Sequence, residues 1–214
     1  YTGAYIEGNS VLTGMNSITL GKNSNGLYLK DAINFISEAK NIVSDKEGAK
    51  GILAIDSGLT NKSKISLSGD NSIGIYSNVS SSQNIVNGGE MNLSGKRALG
   101  VFLKGKNVFE NRVNINVVDS TDVNNPSIGI YTTGGSSSIT HTVGDITVGK
   151  ESIGIYSTVD ADVNISSGKI HVKDQGIGIY KGNGKMSFAG DLAIDSHNSS
   201  LGLNTEPVGI YGMD

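Results

Sequence analysis

The sequence predicts an all-β fold, a parallel β-helix solenoid of about 24 residues and three short strands per coil. Three observations predict it. A phrase built as glycine, aliphatic and then aromatic, or in one copy leucine, recurs nine times along the chain. A second run of alternating apolar residues follows it in nearly every repeat. Gly, Ser, Asn, Thr and Ile fill the repeats, where helical repeats would need Ala, Leu and Glu.

The first strand of each coil begins as "TGAY" at 2–5 and "NGLY" at 25–28, and reads "SIGIYS" at both 72–77 and 152–157. Its glycines lie 23, 25, 23, 26, 29, 25, 24 and 31 residues apart. An aliphatic residue always follows the glycine, and in the last six copies one also precedes it. Strict alternation would turn both aliphatics to the core and set the glycine and the aromatic on the outer face. The fourth place holds Tyr5, Tyr28, Tyr76, Phe102, Tyr131, Tyr156, Tyr180 and Tyr211, with Leu53 in the third copy. In-register stacking would align these rings into an outer structural ladder, whose faces also suit sugar rings.

The second strand is marked by pairs such as Ile18 with Leu20, Ile65 with Leu67, Ile146 with Val148 and Leu192 with Ile194. A weaker third strand lies between, at Ile33 with Phe35, Ile85, Ile139, Val163 with Ile165, and Met186 with Phe188. "DAINFISEAK" at 31–40 has some helical character, but its place in the period favours a strand and a turn. Leucine-rich repeats lack support because their Leu and Asn framework is missing, and a propeller blade needs about 40 residues. The whole chain, 1–214, is then one segment of eight to nine coils. At a strand spacing of about 4.8 Å its eight intervals span roughly 38 Å. Both ends repeat the internal pattern, so the expectation is a piece of a longer rod.

Composition excludes several functions. With 17 basic and 20 acidic residues mixed along the chain, and Arg97 and Arg112 the only arginines, no basic footprint for nucleic acid exists. No run approaches the roughly 20 apolar residues that span a bilayer, so no direct membrane insertion of this segment is expected. The absence of cysteine removes disulfides, thiolate nucleophiles and Cys-based metal sites, and no cofactor motif is found. A monomer is expected.

Nor does the sequence mark catalytic chemistry. The "VDAD" stretch with Asp160 and Asp162 reads as a solvated turn, and Ser57 in "IDSG" as a solvent-exposed one. His141 and His171 read as surface side chains, and neither they nor His197 has the context of a base for Ser57. An enzyme is not expected. The alternative, a β-helix enzyme that degrades polysaccharides, would need carboxylates from adjacent coils converging beside Lys or Arg.

Departures from the period are the better guide to binding. From the second strand to the next motif glycine is 8 or 9 residues in six units, yet 14 from Ile115 to Gly129 and 17 from Leu192 to Gly209. The extra residues are "VDSTDVNNP" at 118–126 and "SHNSSLGLNTEP" at 196–207, which hold both prolines of the chain. Loops on a solenoid are where recognition concentrates. The candidate contact surface is therefore Asp122, Asn124, Asn125, His197, Asn198 and Glu206.

The recurring "SIGIYS", "PSIGIY", "ESIGIYS" and "GIGIYKG", joined by "GKI" or "GDI" strands, resemble the passenger region of the large autotransporter adhesins of fusobacteria. The resemblance covers essentially the whole chain. It implies a right-handed helix exported by type V secretion to the extracellular face of the outer membrane, anchored by a C-terminal barrel outside this segment. It further implies attachment to host cells or other bacteria through surface protein or glycan receptors. The matching residues, Gly74, Ile75 and Tyr76 with their equivalents, carry fold and not a receptor site.

Overall fold

The computed structural model describes residues 1–120, 124–158, 160–173, 175–194 and 208–212. They form a parallel β-solenoid with three faces. The first face stacks nine strands in coil order, from Thr2–Glu7 to Val208–Gly212. The second stacks eight, from Ser17–Thr19 to Asp191–Ile194. The third runs from Phe35–Ser37 to Met186–Phe188, so "DAINFISEAK" does hold a strand. In the fourth and fifth coils the strands Ile73–Asn87 and Leu99–Asn111 bend through a corner and serve both the first and third faces.

Each strand pairs in parallel with its equivalent one coil away: Tyr76 with Phe102, Met91 with Ile115, Ile85 with Phe109. Like positions therefore stack, and the core consists of aliphatic columns. Ile52, Ile75, Val101, Ile130, Ile155 and Ile179 come from the first face and are fully buried. Ile42, Ile65, Ile115, Ile146 and Ile170 meet them from the second, and Ile85, Phe109 and Ile139 from the third. Burying each such side chain contributes about 1.5–3 kcal/mol, but only once a neighbouring coil covers it.

Strict alternation fails at the motif glycine, which faces the core and not the surface. A Cβ on Gly74 would lie 3.1 Å from Met91 Sδ on the opposite face and 2.5 Å from the carbonyl oxygen of Gly100 in the next coil. The pairing steps over the glycine: Ile73 aligns with Leu99, Ile75 with Val101 and Tyr76 with Phe102. Two successive residues thus point inward, and the aliphatic before the glycine turns outward beside the aromatic. Ile73, Leu99 and Ile177 are accordingly only half-buried. The aromatic ladder itself forms, with ring centroids 4.7–5.3 Å apart from Tyr76 through Tyr211, and Tyr5 against Tyr28 at 5.2 Å. Leu53 divides it between Tyr28 and Tyr76.

Three residues before the motif glycine, six coils turn from the second face to the first through a left-handed residue: Asn23, Gly48, Asn71, Arg97, Glu151 and Gln175. Asn and Gly tolerate this conformation; other side chains strain it. The N–H groups of Asn23, Gly48 and Asn71 donate to Glu47, Asp70 and Lys96, each the residue before the next corner. The corner column is thereby as regular as the strands.

A second column is polar and buried, and it corrects the expectation for His141. Asn61, Asn87, Asn111 and His141 occupy one register position on the third face, and all four are buried. Asn61 Nδ2 donates to Asn87 Oδ1 at 2.9 Å, and Asn87 Nδ2 donates to Asn111 Oδ1 at 2.8 Å. His141 Nε2 lies 2.9 Å from the Gly144 carbonyl, which only accepts, so Nε2 carries the proton. Its Nδ1 then accepts from Asn111 Nδ2 at 2.9 Å. The next residue in register is Ile165, so the imidazole ends the amide ladder against the apolar core. Ser57 is likewise buried and not solvent-exposed: its hydroxyl donates to Ile55 O and accepts the Ala32 N–H, which locks a turn. Ile33, expected in the third strand, is 63% exposed because that strand starts at Phe35.

Two outcomes follow from these columns. Gly74→Ala should destabilise the protein by about 2 kcal/mol in chemical denaturation, since a backbone carbonyl cannot yield as a side chain can. Gly212→Ala, with nothing within 4 Å of the added carbon, is the control and should be close to neutral. Burial holds the His141 pKa below its ordinary value. The unfolded chain takes up this proton near pH 6.5 and the folded chain only at lower pH, so the associated stability is complete above about 6.5. It should fall by up to about 1.4 kcal/mol per pH unit as the pH drops from there toward the lowered pKa. Denaturation midpoints measured from about pH 7.5 to 5 should show the loss, and His141→Asn should remove that share of it.

Candidate functional site

The long corner at 118–126 leaves the coil at a definite point. The Ser120 N–H donates to Lys150 O at 2.8 Å, the bond that Asn23, Gly48 and Asn71 make at their corners. The chain rejoins at Ser127, whose hydroxyl accepts the Ala98 N–H at 3.2 Å, and the first-face strand resumes with Ile128 N donating to Ala98 O. The insertion proper is therefore 121–126. Its Pro126 stands three residues before Gly129, where other coils have the left-handed residue; proline cannot adopt that conformation, so the corner column is broken here.

Beside this break lies a groove of about 610 Å³ that crosses several coils. Its floor is the outer face of the first sheet: Leu99, Ile128 and Ile153 from the outward aliphatic row, Tyr131 and Tyr156 from the aromatic row. The wall is made by Asn71 and Arg97 from the corner column and by Asn124, Asn125 and Pro126 from the insertion. Ile128 and Ile153 are only 8% exposed, unlike their half-buried equivalents, so they are covered where the long corner stands. Pro126 also borders a smaller hollow of about 170 Å³ with Glu151, Gln175 and Ile177.

The electrostatics of the groove are one-sided. Arg97 is its only charged described residue, and no described lining residue carries a carboxylate. The guanidinium is exposed, and no hydrogen bond or ion pair to a described residue holds it. Glu47 feels its charge, but that carboxylate is paired with Lys22 at 2.9 Å and accepts from Asn71 Nδ2 at 3.2 Å. Burial, followed by the neighbouring Tyr180 and Tyr131, raises the pKa of the Tyr156 phenol, which keeps it a neutral donor. The arrangement offers ring edges, an aliphatic row, amides and one cation to a ligand.

Of the residues expected from the sequence, Asn124 and Asn125 stand in this groove beside Tyr131 and Tyr156 of the ladder. Asp122, His197, Asn198 and Glu206 lie outside the described residues. Sequence reasoning missed Arg97. Its place in the repeat does not mark it, since Glu151 and Gln175 also hold the corner position that Asn23, Gly48 and Asn71 fill with residues suited to positive φ.

The scattered carboxylates have structural work. Asp56, Asp70, Asp119, Asp145 and Asp162 each accept a backbone N–H from the following coil, those of Ser80, Lys96, Lys150, Lys169 and Lys185. Asp162 opens a strand, so "VDAD" is not wholly a solvated turn. Asp160 and Asp162 line a hollow of about 360 Å³ with Lys106, but both carboxylates come from one coil. The buried Lys181 nearby donates to the carbonyls of Gly182 and Asn183. Burial lowers its pKa, while Asp162 and Asp160 act in the opposite sense. Among the described residues no group of three His, Asp or Glu is placed to hold a metal ion.

No family model matches the chain, and neither a curated protein nor a solved structure does. What fold and site define is an elongated parallel β-solenoid with a lateral groove. That fold is consistent with autotransporter-type passenger domains in general and is shared by adhesins and carbohydrate-active enzymes alike.

The corner conformation makes Arg97 a source of strain. Arg97→Asn should raise thermal stability by about 0.5 kcal/mol, because asparagine accepts the left-handed region that arginine resists. A melting temperature that stays level or falls would show that the arginine makes compensating contacts.

Proposed function

We propose that this chain is the shaft of a cell-surface adhesin of the autotransporter type, and that it attaches to host cells or other bacteria through its lateral groove. The observation that carries this reading is the groove itself. The solenoid is interrupted at the corner before Ser127, and the insertion there sets amides beside the guanidinium of Arg97, which no described residue pairs, over an aromatic and aliphatic floor. Binding by aromatic and polar side chains needs no more than that.

The groove binds and does not catalyse. Bond cleavage in a β-solenoid needs an acid and a base across the scissile bond, and the described lining holds no carboxylate or histidine to work with the phenols of Tyr131 and Tyr156. The coil stack provides length, and the receptor is a protein or glycan on the opposing surface. In this reading the segment works as a monomer on the extracellular face of the outer membrane, held by a barrel elsewhere in a longer protein.

The test uses the corner's own geometry. Deleting 121–126 joins Ser120 to Ser127 and reproduces the length of the next coil's corner, where Lys150 and Glu151 run directly into Ser152. With Ser120→Asn added to suit the left-handed turn, this variant should melt cooperatively at a temperature close to that of the parent. Labelled parent protein should bind intact host or bacterial cells saturably, and the folded deletion variant should lose at least about tenfold in affinity. Undiminished attachment by that variant would sink the groove as the contact site.

A further inference from the structure

We propose that the groove takes a carboxylate-bearing saccharide, with the Arg97 guanidinium forking the carboxylate while Tyr131 and Tyr156 carry the sugar ring. This inference rests on the groove being a binding site, and it names the ligand class.

The backbone narrows the choice first. The strands under the groove are paired on both sides, Ile128–Thr133 with Leu99–Asn111 and with Ile153–Ser157. No open edge exists there for a peptide to extend the sheet. A ligand must be read by side chains alone, and each lining group answers to a part of an acidic sugar. Tyr131 and Tyr156 stand one coil apart, their centroids 5.3 Å from each other and their planes tilted by 54°, and they line the floor with Ile128 and Ile153. Tyr131 is stacked on Phe102 and Tyr156 packs against Tyr180, so the ring edges and the aliphatic row, not the ring faces, present an apolar surface to a pyranose. Asn124, Asn125 and Asn71, whose Nδ2 also donates to Glu47, make the wall of the groove polar.

Arg97 then selects the charge. Its planar fork matches a carboxylate through two parallel hydrogen bonds, which lysine cannot reproduce. A described lining with one cation and no carboxylate favours an isolated negative group. A nucleic acid or a polyphosphate would need a row of cations and would meet a chain with more acidic than basic residues.

The experiment presents the whole chain to immobilised oligosaccharides in matched sets: glycans ending in glucuronic or sialic acid, the same glycans with the carboxyl reduced to an alcohol, and sulfated equivalents. Arg97→Gln, Arg97→Lys and the parent are compared, with thermal melts to verify folding. Parent binding should prefer the carboxylates by about tenfold or more over the reduced and the sulfated forms. Arg97→Gln should abolish that preference and Arg97→Lys should recover only part of it, with melting temperatures close to the parent's. Equal binding of reduced or sulfated glycans, or a preference that survives Arg97→Gln, overturns the proposal. Attachment to cells without Arg97-dependent carboxylate binding overturns this inference and leaves the adhesin reading standing. Arg97-dependent carboxylate binding without attachment to cells supports the inference and removes the adhesin reading. Binding to neither overturns both.

Discussion

The column of motif glycines governs how this solenoid is built. From Gly3 to Gly178 an added Cβ would come under 3.0 Å from the carbonyl oxygen of the glycine one coil on. The backbones can approach that closely only where no side chain intervenes. Turning the glycine inward brings the following aliphatic into the core beside it and swings the preceding one out. The outer face therefore presents an aliphatic row next to the aromatic row. That paired surface, which simple alternation would not create, is what forms the floor of the groove.

Register is fixed by polar groups as well as by hydrophobic burial. The Asn61, Asn87 and Asn111 ladder, ended by His141, leaves buried amides without partners if any coil slips by a residue. Aspartates at the corners tie each coil to the next through backbone N–H groups. Together these bonds commit much of the chain's polar and acidic inventory to holding the stack. The side chains left for recognition are then few, and they collect where the repeat is interrupted.

The 121–126 insertion is that interruption. A proline stands where the turn would need positive φ, an arginine stands where the coil below would be better served by asparagine, and the sheet between them is partly roofed. The same local violations that weaken the repeat supply a cation and amides beside the ring edges and the aliphatic row. A regular coil has rings and aliphatics on this face but no wall to complete a site.

The sequence by itself determined the solenoid, its period and the stacking of like positions, because glycine spacing and aliphatic alternation are one-dimensional signals of a fold made by repetition. It also located the long corner, since an insertion is visible as a count. The inward glycine lay beyond it: period-two reasoning assumes an unbroken pleat, and the break at Gly74 and its equivalents is set by contact with the next coil. The burial of His141 and Ser57 was equally hidden, since short polar words look alike in a turn and in a hydrogen-bonded column. Only the tertiary structure decided that Arg97 lines one groove with Asn125 and Tyr156. Residues one and two coils apart become neighbours through stacking, and their separation of 28 and 59 positions in the chain carries no sign of it.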